Sequence, residues 1–71
     1  MEIVEIFKTN VLENEQADYL IASLLAHFPQ HKINFDLQDC DKILRVQGKN
    51  VCSEKIIELV NTSGYQCSVL D

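Results

Sequence analysis

Apolar residues recur along this chain at two different spacings. Four segments alternate between apolar and polar side chains, the period-two pattern of half-buried β-strands: residues 2–9, 32–38, 42–47 and 65–70. A helical stripe comes between the first two strands: Ala17, Leu20, Ile21, Leu24, Leu25 and Phe28. A shorter stripe comes before the last strand: Ile56, Ile57, Leu59 and Val60. The pattern therefore predicts the order β-α-β-β-α-β.

Capping residues mark the ends of both helices. Asn14 is the predicted N-cap of the first helix, and Ser53 is the predicted N-cap of the second. Pro29 ends the first helix, because proline cannot donate a backbone hydrogen bond and disfavours a helical residue before it. Gly64 is expected just after the second helix, where a left-handed backbone costs glycine little.

Each predicted element has one apolar side, and these sides must be buried against one another. Two helices on one face of a four-stranded antiparallel sheet achieve this, which is the α+β ferredoxin-like βαββαβ fold. Right-handed crossovers place the first and third strands in the middle. We expect one domain over residues 1–71. Its most buried side chains are expected to be Leu20, Leu24, Phe35, Leu44 and Ile57.

The composition of the chain argues against several classes of function. The chain has 11 acidic and 6 basic residues, a net charge of -5, and no cluster of bases to bind a phosphate backbone. Its longest apolar stretch, residues 19–28, is shorter than the ~20 residues that a membrane span needs. The acidic N-terminus lacks the basic region of a signal peptide. We therefore expect no nucleic-acid partner and no membrane association.

The cysteines indicate a reducing compartment. Cys40, Cys52 and Cys67 are odd in number, and no two of them lie at C-x-x-C spacing. Small secreted domains with disulfides usually carry an even number, so we predict a cytoplasmic protein. Cys67 alternates with Tyr65 and Val69, which predicts a buried structural thiol.

Gly64-Tyr65 and the lengths of the elements resemble heavy-metal-associated domains, in which the second helix ends in G-Y or G-F before the last strand. In that family a G-M-x-C-x-x-C loop after the first strand binds a soft metal ion. Here Asn10-Val11-Leu12 stands in place of G-M-x, while Glu13 and Gln16 stand in place of the two cysteines. The resemblance implies the fold of the family but not its metal transfer, since an acid and an amide do not replace two thiolates.

No pattern in the sequence indicates catalysis or a cofactor. With only Gly48 and Gly64, the chain has no glycine-rich phosphate loop, and no Ser-His-Asp arrangement is recognisable. The acids around the predicted hairpin lack the glycine and the final glutamate of a calcium loop. We therefore expect no enzyme, no cofactor and no metal site.

Three functional hypotheses follow. The first is a non-catalytic interaction or regulatory module, and the second is a metal-handling protein with ligands outside the family motif. Those ligands would be drawn from the acids and from Cys40, Cys52, His27 and His31. A small-ligand sensor is a third hypothesis, although no residue selects a ligand.

The interaction hypothesis predicts a site on the sheet face that the helices leave uncovered. The alternation in the first strand puts Val4 and Ile6 on one face and Ile3, Glu5 and Phe7 on the other. We expect an uncovered apolar patch that binds an unknown protein partner or a second copy of the chain, with Glu5 and Arg45 paired across it. The predicted patch consists of Ile3, Phe7, Ile43 and Leu70.

Overall fold

The structure, a computed structural model, describes residues 1–70. Its elements follow the predicted order: β1 Ile3–Thr9, α1 Asn14–His27, β2 Lys32–Asp36, β3 Ile43–Gly48, α2 Ser53–Thr62 and β4 Cys67–Val69. Within the described residues, no helix is long and apolar enough to cross a membrane. The βαββαβ arrangement is confirmed, with boundaries that differ from the predicted ones by at most two residues.

The four strands form one antiparallel sheet in the order β2-β3-β1-β4. β1 pairs with β3 from Ile3↔Gly48 to Lys8↔Ile43, whereas β4 pairs only with the end of β1, from Phe7 to Thr9. The first and third strands are therefore central, as predicted, and the ferredoxin-like α+β fold is confirmed.

β1 faces the opposite way from the prediction. Phe7 lies opposite Leu44, and both side chains are 0% exposed in the core. Ile3 lies two pleats from Phe7 and shares its face, because strand side chains alternate. The prediction that Phe7 and Ile3 lie on the uncovered face is thus wrong. Apolar residues occur on both sides of β1, so alternation alone does not determine which side is buried.

The core lies between the sheet and the two helices. It consists of Phe7, Val11, Ala17, Leu20, Leu24, Leu44, Val46, Ile56 and Val60. Leu20, Leu24 and Leu44 are fully buried, as predicted, but Phe35 and Ile57 are only half-buried against this core. Phe35 belongs to an edge strand, and α2 turns Ile56 rather than Ile57 toward the core.

Both helices begin one residue earlier than predicted. The N-caps are Glu13 and Cys52, so Asn14 and Ser53 are the first helical residues. At the start of α1, Oε1 of Gln16 accepts the backbone N–H of Glu13 at 3.2 Å, which satisfies a donor that the helix itself leaves free. Gly64 follows α2 with a φ of 100°, the left-handed conformation predicted for it.

Candidate protein-interaction face

The helices cover one face of the sheet, and the other face, here called the open face, has no element packed on it within residues 1–70. Cross-strand partners point to the same side, so the register assigns the side chains of this face. The open face consists of Val4, Ile6, Lys8, Lys32, Asn34, Asp36, Ile43, Arg45, Gln47, Ser68 and Leu70.

An apolar patch occupies the middle of the open face, on and beside the two central strands. It consists of Val4, Ile6, Ile43 and Leu70. Val4 is 42% exposed and Leu70 is 38% exposed, while Ile6 and Ile43 are half-buried. The backbone N–H of Leu70 donates to the carbonyl of Ile6 at 2.9 Å, which brings these two residues side by side. These four side chains form the apolar part of the candidate site.

Two of the four predicted patch residues belong to this site. Ile43 and Leu70 lie on the open face, but Val4 and Ile6 replace the predicted Ile3 and Phe7. The size of Phe7 was the available signal, because the largest apolar side chain of a strand has the most to gain from burial. The charged residues of β1 did not indicate which of its sides is buried, because Glu5 and Lys8 lie on opposite faces of the strand.

Arg45 is exposed at the centre of the open face, directly opposite Ile6 on one side and Asn34 on the other. The predicted pair between Glu5 and Arg45 does not form, because Glu5 lies opposite Val46 on the covered face. Within residues 1–70 the only ion pair joins Lys8 and Asp41, with Nζ and Oδ1 3.9 Å apart. The Arg45 guanidinium therefore has no acidic partner among the described residues.

The tip of the β2–β3 hairpin holds the only group of three potential metal ligands in the described part of the chain: Asp39, Cys40 and Asp41, with ligand atoms within 4.8 Å of one another. The Asp39 carboxylate accepts the backbone N–H of Asp41 at 2.9 Å, and Asp41 pairs with Lys8. Both acids thus already stabilise the turn. The group mixes one soft thiol with two hard oxygen donors, a set that the borderline ion Zn²⁺ accepts better than Cu(I) does.

The other proposed metal ligands lie elsewhere. Nδ1 of His27 contacts the carbonyl of Ser23 at 3.0 Å, and Nε2 of His31 contacts the carbonyl of Asn50 at 2.6 Å. Cys52 is the exposed N-cap of α2. The structure does not bring these residues into the hairpin group, so the ligand set proposed from the sequence remains scattered.

His31 packs against the backbone of Gly48. A Cβ built on Gly48 would lie 2.8 Å from Cδ2 of the imidazole, which is too close for a real contact. The ring also packs at a tilt on Phe28, with centroids 5.3 Å apart. His31 therefore closes the end of the core beside β3, a structural role that the sequence analysis did not identify.

Cys67 faces the covered side of the sheet opposite Thr9 and is half-buried. Burial raises the pKa of the Cys67 thiol from its ordinary 9.0 to about 11, because the thiolate is poorly solvated there. The thiol is protonated at neutral pH and is a poor nucleophile. This agrees with the structural role predicted for Cys67.

A cleft of about 430 Å³ opens between the C-terminal half of α1 and the facing side of α2. Phe28 and Leu59 supply its apolar surface, and Lys55 and Glu58 supply one charge of each sign. The Thr62 and Ser63 hydroxyls in its lining donate to helix carbonyls, at 2.8 and 3.1 Å. A specific ligand site needs polar groups that converge on the ligand, and these hydroxyls are already engaged.

The loop between β1 and α1 holds the positions that match the metal cysteines of heavy-metal-associated domains. Glu13 is the N-cap there, and Gln16 accepts two backbone N–H groups of the loop, at 3.2 and 3.3 Å. Comparisons with family models, characterised proteins and solved structures give no match. The resemblance to this family therefore stays a prediction that rests on the sequence.

Proposed function

We propose that this domain is a non-catalytic interaction module that binds a protein partner through the open face of its sheet. One observation carries the proposal: Arg45 is exposed, has no ion pair within residues 1–70, and borders an exposed apolar patch, with Ile6 on one side and Asn34 on the other. An exposed apolar patch with a polar surround is a common mark of a protein-binding surface.

The chemistry of the open face defines the kind of partner. Arginine is enriched among the residues that dominate binding energy, since its planar guanidinium binds a carboxylate with two parallel hydrogen bonds. Burial of the surrounding apolar area would add roughly 25 cal/mol per Å² before the costs of association. The partner is therefore a protein surface with apolar side chains beside an exposed aspartate or glutamate.

The resemblance to heavy-metal-associated domains supports the same proposal. Glu13 and Gln16 stand at the positions of the metal cysteines, and Gln16 instead accepts backbone N–H groups at the helix start. We propose that the chain is a divergent domain of this kind that has kept the fold and lost metal transfer.

The test begins with capture of partners from native lysate on immobilised protein, followed by purification of each captured protein. Binding is then measured with three proteins: the wild type, Arg45→Glu, and Lys55→Glu as a matched charge change on α2. We expect Arg45→Glu to weaken binding by at least about tenfold, because loss of a desolvated charge pair costs about 2 kcal/mol or more. The control should bind like the wild type.

Amide chemical shifts locate the bound surface independently. Shifts concentrated on β1 and β3 around Ile6 and Arg45 would support the proposal. Equal binding by Arg45→Glu and the wild type, or shifts concentrated on α2, would contradict it.

Metal handling is a second candidate function, supported only by the proximity of Asp39, Cys40 and Asp41. Titration of the reduced protein with Zn²⁺ tests it, with Cys40→Ser as the variant and Cys52→Ser as the matched control. Saturable binding that only Cys40→Ser abolishes would favour this function. Equal behaviour of all three proteins would exclude the hairpin site.

A further inference from the structure

We propose that the open face binds helix α1 of a second copy of this chain, so that copies associate head to tail. The inference rests on the proposed function, because it requires the open face to be a docking surface. It adds the identity of one partner, and the experiment below separates the two claims.

The outer face of α1 has the chemistry that the open face requires. It consists of Glu15, Asp18, Tyr19, Ala22, Leu25 and Ala26, all exposed. Tyr19 is 65% exposed and Leu25 is 36% exposed, although the opposite side of the same helix is buried in the core. Large aromatic side chains are frequent binding anchors, so Tyr19 gives this surface an apolar centre.

The charges of the two surfaces are complementary. α1 contains two acids, Glu15 and Asp18, and no lysine or arginine. The strands of the open face carry Lys8, Lys32 and Arg45, three of the six basic residues of the chain, and the acid Asp36. Lys8 pairs with Asp41, and Glu2, just before β1, accepts a hydrogen bond from Gln47 of this face. Lys32 and Arg45 are therefore its bases without an ion pair within residues 1–70. A chain with a net charge of -5 thus presents half of its bases on one face of the sheet, while α1 on the other face has two acids and no lysine or arginine.

The dimensions of the two surfaces also match. At 14 residues, α1 is about 21 Å long, and a helix with side chains is about 10 Å wide. The outer strands of a four-stranded sheet lie about 14 Å apart, so the open face has room for one helix along its central strands. The opposite face of the same sheet already carries α1 of its own copy. Docking would give the sheet a helix on both sides.

The contact joins two different surfaces, which sets the form of the assembly. Each added copy leaves one open face and one outer face of α1 free, so association does not stop at a dimer. An interface of one helix on one sheet lies at the small end of the range for protein contacts, where binding is weak and transient. The mass should therefore rise gradually with concentration.

Sedimentation equilibrium on the purified wild type is the first measurement. We expect the weight-average mass to pass that of a dimer by about 1 mM and to approach that of the monomer near about 10 µM, as weak open-ended association requires. A mass that stays monomeric over this range, or one that stops at a dimer, would overturn the inference.

Charge exchange then identifies the two surfaces. Arg45→Glu alone and Glu15→Lys with Asp18→Lys should each abolish self-association, because each places like charges across the contact. Mixing the two variants should restore association, and so should one chain that carries all three changes. The matched controls are Lys55→Glu and the pair Glu54→Lys with Glu58→Lys, which change the net charge equally on α2 and should associate like the wild type.

The outcomes separate this inference from the proposed function. If Glu15→Lys with Asp18→Lys associates like the wild type, α1 is not the partner and the inference fails. If the wild type is monomeric but Arg45→Glu still loses a purified heterologous partner, the inference fails and the proposed function stands. If Arg45→Glu changes neither self-association nor partner binding, both fail.

Discussion

The two faces of the sheet are made from the same strands and similar residues, yet only the covered face contains fully buried side chains. On the covered face Phe7, Leu44 and Val46 are 0% exposed, whereas Val4 on the open face is 42% exposed. The difference arises from the helices, whose apolar stripes can cover only one side. Apolar composition therefore does not by itself bury a strand residue, and the face that stays uncovered is free for binding.

The largest effect that this comparison predicts is on the free energy of unfolding after truncation in β1. Phe7→Ala should lose about 3–5 kcal/mol, because it leaves a cavity in the core. Val4→Ala should cost less than about 1 kcal/mol, since an exposed substitution forms no cavity. Urea denaturation of both variants measures the difference. A larger cost for Val4→Ala than for Phe7→Ala would mean that β1 faces the other way.

A smaller loss of stability is expected where the covered face ends. Gly48→Ala should cost about 1–3 kcal/mol, because the new methyl group would lie 2.8 Å from the His31 ring and force it to move. The double variant Gly48→Ala with His31→Ala provides the control, since it removes the obstructing ring. If Gly48→Ala costs the same in both backgrounds, the close packing of His31 on Gly48 is not the cause.

The covered face should also produce a dependence of stability on alkaline pH through Cys67. The folded thiol has a pKa of about 11 against an ordinary 9.0, so the unfolded chain ionises first as the pH rises. This contribution is complete below pH 9 and is lost between pH 9 and about 11. Urea denaturation in a reducing agent at several pH values should show a steeper alkaline loss for the wild type than for Cys67→Val.

Cys52→Ser is the matched control for this measurement, because Cys52 is exposed. It should keep the alkaline slope of the wild type. If Cys67→Val keeps the same slope as well, burial of the Cys67 thiol does not contribute to stability.

The smallest effect on stability is expected at the open face. Arg45→Glu should change the free energy of unfolding by less than about 0.5 kcal/mol, because Arg45 is exposed and has no ion pair within residues 1–70. Urea denaturation beside the wild type is the measurement. A loss above about 1 kcal/mol would show that Arg45 supports the fold, and any loss of binding would then have a second explanation.

Much of the fold could be predicted from local patterns. The stripe that includes Leu20 and Leu24 placed α1, and Pro29 placed its end within two residues. Gly64 was predicted just after α2 on backbone conformation alone, and its φ of 100° agrees. These features depend on near neighbours in the chain, which is why the sequence contains them.

The candidate site could be predicted only in part. Ile43 and Leu70 were placed on the open face correctly. Each alternates with an apolar neighbour that was assigned to the covered face, Leu44 for Ile43 and Val69 for Leu70. The prediction of a Glu5–Arg45 pair was wrong because it assumed that Glu5 lies on the open face of β1, whereas Glu5 lies on the covered face. The closeness of His31 to Gly48 joins residues 17 positions apart and left no local pattern.

The sequence by itself determined the order of the elements, the burial of Leu20 and Leu24 on α1 and the turn at Gly64, because each follows from the spacing of neighbouring residues. Only the tertiary structure decided which side of β1 meets the helices. Both sides of that strand are apolar, so the choice depends on Leu44 across the sheet and on the volume that Phe7 fills beneath the helices. The same choice left Ile6 and Arg45 together on the open face, where we place the function.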